Sequence, residues 1–71
     1  MVIVGQDGKE YNAYEGDLQI TNSNERIVFV GYDGVRRTLG RYKQFERRIS
    51  VFAEVYAAKN SGQSRFVMPA R

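Results

Sequence analysis

Apolar residues recur at helical spacing in one stretch only, residues 43–59 (KQFERRISVFAEVYAAK), and that stretch predicts the chain's single α-helix. Phe45, Ile49, Phe52, Ala53 and Tyr56 share a stripe, which Tyr42 joins one turn earlier, and the stripe is expected to lie on a sheet. Val51, Val55 and Ala58 fall on nearly the opposite side, flanked by Gln44 and Arg48. A second contact surface is expected there. Elsewhere the pattern is one of short alternating runs broken by turn residues. Residues 1–5 read as a strand, Gln6-Asp7-Gly8-Lys9 as a hairpin turn around Asp-Gly, and residues 9–14 as the returning strand. Residues 18–21 form a short third strand, and Asn22-Ser23-Asn24-Glu25 is turn chemistry. Residues 64–68 alternate and stop at Pro69, the only proline, as an edge strand does. No internal repeat is expected.

The strongest β signal is the pair of runs RIVFVGY (26–32) and VRRTLGR (35–41) around Asp33-Gly34. A two-residue turn would set Tyr32 opposite Val35, Val30 opposite Arg37, Val28 opposite Leu39 and Arg26 opposite Arg41. The other face would carry Ile27 opposite Gly40 and Phe29 opposite Thr38, with the helix packed on Ile27 and Phe29. Gly62 is placed to cap the helix end in a left-handed conformation. The expected fold is a single α+β domain over residues 1–71: an antiparallel sheet of about five to six short strands, one helix on one face and a C-terminal edge strand.

A chain of 71 residues has a core that supplies only about 3–5 kcal/mol of net stability, so short domains usually add a staple. There is no cysteine and no histidine, which excludes disulfides and the usual zinc frameworks. Assembly into a homo-oligomer, a dimer or larger, is the expected remedy, with Val28, Leu39, Val51, Val55 and Ala58 as the contact between copies. The N-terminal segment lacks a basic stretch followed by a long apolar run, and no apolar run is long enough for a membrane span. The expected location is the cytoplasm, with no membrane partner.

Eleven Lys and Arg against eight Asp and Glu give a net charge of +3, and arginine outnumbers lysine. This favours an anionic partner gripped through bidentate contacts over loose surface charge. Without histidine or cysteine, and with the acidic residues scattered among turns, no general base or nucleophile arrangement stands out, so an enzyme is not expected. No cofactor is implied. Asp7, Glu15 and Asp17 lack the spacing of a calcium loop, and no metal site is expected. The constellation that carries chemistry is an anion cradle: Arg26, Arg37 and Arg41 with Tyr32 on one face of the central hairpin, and Arg48 on the helix. Val28, Val30 and Leu39 would floor it. Tyr11 and Tyr14 are candidates for stacking on a base.

From Leu39 onward the chain carries Leu39-Gly40-x-Tyr42, then Glu46-Arg47 near a helix start, Val51 and Glu54 within it, and Phe66-x-Met68-Pro69 at the close. In these residues it resembles a group of short proteins from phages, prophages and related elements of Firmicute bacteria. It departs from their pattern at Phe45, usually acidic, and at Arg48, usually small and apolar. The resemblance covers roughly the C-terminal half and implies a mobile-element setting with a strand, helix and strand ending. The expected function is a non-enzymatic accessory protein that sequesters an anionic small molecule, such as a nucleotide-type immune signal, as counter-defence. The alternatives are a protein-protein inhibitor or adaptor acting on a host or phage enzyme and, third, a weak nucleic-acid-binding module.

Overall fold

Two hairpins turn alike because their local sequences are alike. In Gly5-Gln6-Asp7-Gly8-Lys9 and in Gly31-Tyr32-Asp33-Gly34-Val35 the second glycine lies in the left-handed region, at φ 84 and 77. Each aspartate Oδ1 accepts the backbone N–H two residues on, at 3.0 Å in both turns. Each second glycine donates its N–H to the first glycine's carbonyl at 2.9 Å. The result is a three-residue loop ending in a left-handed glycine, where two residues were expected. Val2-Ile3-Val4 before the first turn and Val28-Phe29-Val30 before the second complete a repeat, which corrects the expectation of none.

The computed structural model describes residues Met1–Arg71. Strands β1 (Val2–Val4), β2 (Glu10–Asn12) and β6 (Arg65–Val67) form one sheet in the order β2-β1-β6. Strands β3 (Gly16–Thr21), β4 (Arg26–Gly31) and β5 (Arg36–Arg41) form the other in the order β3-β4-β5. The fold is α+β, with two sheets of three strands where one larger sheet was expected. The first sheet is mixed: helix α1 (Phe45–Asn60) returns the chain so that β6 lies at an edge, parallel to β1. A short 3-10 turn at Ser23–Glu25 links β3 to β4, with Asn24 and Glu25 at positive φ.

The longer loop shifts the central register by one residue, so Val30 faces Arg36, Phe29 faces Arg37 and Val28 faces Thr38. A bulge then absorbs Leu39 and restores the expected pairs Ile27 with Gly40 and Arg26 with Arg41. Two one-residue offsets cancel. Arg37 consequently shares a face with Phe29, and Leu39 turns into the core beside Ile27.

Helix α1 begins at Phe45 rather than residue 43, because Gln44 is extended at φ −85 and ψ 134. Tyr42 is therefore a strand-end residue, and counting it as helical misplaces the helix phase. The buried face is Arg48, Val51, Val55 and Ala58, while Phe45 and Ile49 are 48 % and 45 % exposed. The stripe expected to meet the sheet is turned outward, except that Phe52 and Tyr56 pack along its border. Small valines and an alanine suit the inner face because Tyr42, Phe29 and Leu18 already fill the space above the sheet. At the far end Gly62, at φ 78, caps the helix as expected, with Gln63 N–H reaching the Ala58 carbonyl at 3.1 Å.

The five residues expected between copies, Val28, Leu39, Val51, Val55 and Ala58, are at most 4 % exposed within one chain. Sheet and helix cover four of them. Val28 lies on the other sheet face, along which the Arg26 side chain runs to reach Thr38 Oγ1 at 3.2 Å. Their assignment as an interface is corrected: a single chain hides them. No helix is long and apolar enough to cross a membrane.

Candidate functional site

The two sheets meet at Gln6. Its backbone N–H donates to the Leu39 carbonyl at 2.7 Å, and its Oε1 accepts the Arg41 N–H at 2.8 Å. Its Nε2 donates to the carbonyls of Pro69 at 2.9 Å, Ala70 at 3.2 Å and Arg41 at 3.4 Å. One amide thus fastens the first hairpin to the edge of β5 and to the C-terminal segment. Tyr42 adds its O–H to the Pro69 carbonyl at 2.7 Å. Burial raises the Tyr42 hydroxyl above its ordinary pKa.

Beyond this corner β2 and β5 separate, and neither has a ladder partner on its outer side. The gap is a groove of about 590 Å³ around Tyr11, Phe29, Tyr32 and Arg37, continued by a lobe of about 530 Å³ between Asp7, Lys9 and Thr38. Tyr11 and Phe29 form its floor, with ring centroids 5.6 Å apart. Tyr32, although 81 % exposed, is tethered by its O–H to the Tyr14 carbonyl at 2.8 Å. Its ring is a fixed wall. Arg37 is held by Asp33 Oδ2 at 3.0 Å, and this pairing lowers the carboxyl pKa and raises that of the guanidinium. Burial, then Asp7, raises the Tyr11 pKa. Around the groove the carboxylates are Asp7, Glu10, Glu15 and Asp33 and the lining cations Lys9 and Arg37; Asp33 is paired with Arg37, and Glu10 with Arg65 of β6 at 3.1 Å.

The expected cradle is therefore divided. Tyr32 and Arg37 line one groove. Arg26 and Arg41 stand opposite each other at the far end of the hairpin, as expected, and their repulsion is relieved as Arg26 bends to Thr38 and to the Ser23 carbonyl. Arg48 is not available to a ligand, being 5 % exposed. It donates to the carbonyls of Tyr42 at 2.7 Å and Lys43 at 3.2 Å, closing the link between β5 and α1 that the late helix start leaves open. Its Nε has no partner. Asp7, Glu15 and Asp17 do not gather with other acidic groups into a metal-binding set.

A second concavity was not foreseen. About 300 Å³ at the start of α1 is lined by Arg41, Lys43, Arg47 and Arg71 over the Tyr42 ring, with no Asp or Glu side chain in its wall. Arg47 is positioned by its Nη2 bond to the Arg71 main-chain oxygen at 2.9 Å and by Glu54, whose Oε2 lies 3.4 Å from Nη1, and it sits 5.9 Å from the Tyr42 ring centre. The helix start has no side-chain cap, so its free N–H groups add positive potential. Lys43 and Arg47 offered a charge signal in the sequence, but only the path of the C-terminal segment brings Arg71 to them. No protein family, curated protein or solved structure matches the chain.

Proposed function

We propose that the protein is a non-enzymatic binding protein whose ligand is an anionic small molecule held at the start of α1. The observation that carries this reading is a pocket walled by four cationic side chains and no acidic side chain. Guanidinium groups and free helix N–H groups suit phosphate or carboxylate oxygens, and the Tyr42 ring supplies an apolar base. Among the residues first singled out, Arg41 belongs to this site. The resemblance to phage proteins supports a mobile-element setting in a bacterial cytoplasm, where a nucleotide-type immune signal is a ligand of the right chemistry.

Titration calorimetry at low salt against ADP-ribose, a cyclic dinucleotide and inorganic phosphate tests the reading. Micromolar heat from a nucleotide, lost in Arg41→Glu/Lys43→Glu, is expected; no heat from any of the three overturns it. Self-association would use the exposed Phe45 and Ile49, which are neighbours on one side of α1. The same pair favours a second reading, an adaptor docked on another protein. Light scattering separates the two: a dimer that Ile49→Glu dissolves supports self-association, and a monomer supports the adaptor.

A further inference from the structure

We infer that the groove between β2 and β5 receives an extended, cationic peptide segment of a partner protein, added as a strand along the outer edge of β5. This site is separate from the basic pocket, and its success or failure leaves the anion reading untouched.

The first support is the hydrogen-bonding parity of β5. Gly31 donates its N–H to the Val35 carbonyl, so in an antiparallel pair the next bonded partners are Phe29 and Arg37, and the backbone groups of Arg36 and Thr38 point away from β4. No strand lies on that side. The second is Gln6, which already occupies one step of the same edge. Its N–H meets the Leu39 carbonyl, and its side-chain amide meets both the N–H and the carbonyl of Arg41, as a strand backbone would. An incoming segment continues a rung the chain has begun, a known mode of peptide recognition.

The groove's chemistry selects the segment. Tyr11 and Phe29 form an aromatic floor for alternate apolar side chains. Asp7, Glu10, Glu15 and Asp33 outnumber Lys9, Arg37 and Arg65, the last paired to Glu10 at 3.1 Å, so in a chain of net charge +3 the surface is net negative at this place, with Asp7 and Glu15 outside any ion pair. An anionic ligand is opposed there, and a lysine or arginine is favoured. The tethered Tyr32 ring closes one end and Gln6 the other, so the length on offer is that of a short strand.

The test uses the whole chain, labelled with nitrogen-15, and two blocked six-residue peptides, (Val-Lys)3 and (Val-Glu)3. With (Val-Lys)3 at saturation, amide exchange at Arg36 and Thr38 should slow by about tenfold or more, because edge amides are otherwise open to solvent. (Val-Glu)3 should leave both unchanged. Glu15→Lys, on an exposed side chain away from the ladders, should weaken (Val-Lys)3 binding by roughly threefold to tenfold at low salt. Unaltered exchange at Arg36 and Thr38 with (Val-Lys)3, or equal protection by both peptides, overturns the proposal. Thr38→Pro deletes the edge donor at a position where proline is tolerated in folded edge strands and should abolish binding; if that variant unfolds, the Glu15→Lys comparison still decides.

Discussion

The turns at Gly5–Lys9 and Gly31–Val35 share a backbone and differ in what their first loop residue does. Gln6 folds back and satisfies backbone groups on two other segments, while Tyr32 in the same place stands 81 % exposed and makes one bond to the Tyr14 carbonyl. The template needs only its two glycines and its aspartate, so the first loop position is free to serve either closure or presentation. In the first hairpin it closes the molecule. In the second it builds the wall of a groove. The residues after the turns diverge in the same sense: Tyr11 floors that groove, whereas Arg37, at the matching position, ties back to its own turn through Asp33.

The sharpest way to break this comparison is to remove both loop side chains' polar reach. Gln6→Leu leaves the Arg41 N–H and the Ala70 carbonyl without their partner and the Pro69 carbonyl with the Tyr42 O–H alone, and is expected to cost about 2–4 kcal/mol from several hydrogen bonds of about 1 kcal/mol each. Tyr32→Phe loses one bond at an exposed site and should cost less than about 1 kcal/mol. Equal urea midpoints for the two variants would dissolve the distinction between them. The next effect tests the sameness. Gly8 and Gly34 both have positive φ, and an added Cβ meets nothing within 4 Å at either. Gly8→Ala and Gly34→Ala should therefore each cost about 1–2 kcal/mol, from backbone strain alone. Values that differ clearly would show the turns to be inequivalent.

Much of this was legible in residue order, and the errors have physical causes. The repeated Gly-x-Asp-Gly was readable twice over, yet weighing Asp-Gly as a two-residue turn hid the glycine that begins each loop. The pairing of Arg26 with Arg41 came out right because the bulge at Leu39 undid the error of the turn. The stripe from Phe45 to Tyr56 is genuine periodicity, but periodicity does not say which apolar arc faces the sheet; Tyr42, in the core but ahead of the helix, pulled the assignment the wrong way. Gln6 carried no local signal, since all its partners lie more than thirty positions away. The parallel placement of β6 was hidden for the same reason. Of the candidate ligand residues, Tyr32 and Arg37 line one groove because they flank one turn, though Arg37 lies on the Phe29 face and not the Val28 face expected, while the role of Arg48 depended on where the helix starts.

The smallest expected effect isolates the charge that only the second turn uses. Asp33 is held below its ordinary pKa of 3.8, first by the hydrogen bond from Arg37 and then by the Val35 N–H. A depressed carboxyl favours the folded state once ionised, so this contribution is complete above the unfolded value and is lost as pH falls through the lower folded one. Asp33→Asn keeps an oxygen for the Val35 N–H and removes the charge. Its urea midpoint should match that of the wild type near pH 2 and fall behind as pH rises through 4, by less than either glycine variant, because exposed ion pairs contribute little. Arg37→Gln should reduce the same slope, and added salt should shrink it in the wild type. If Asp33→Asn retains the wild-type pH dependence, the ion pair does not distinguish the second turn from the first, and their difference reduces to Gln6 against Tyr32.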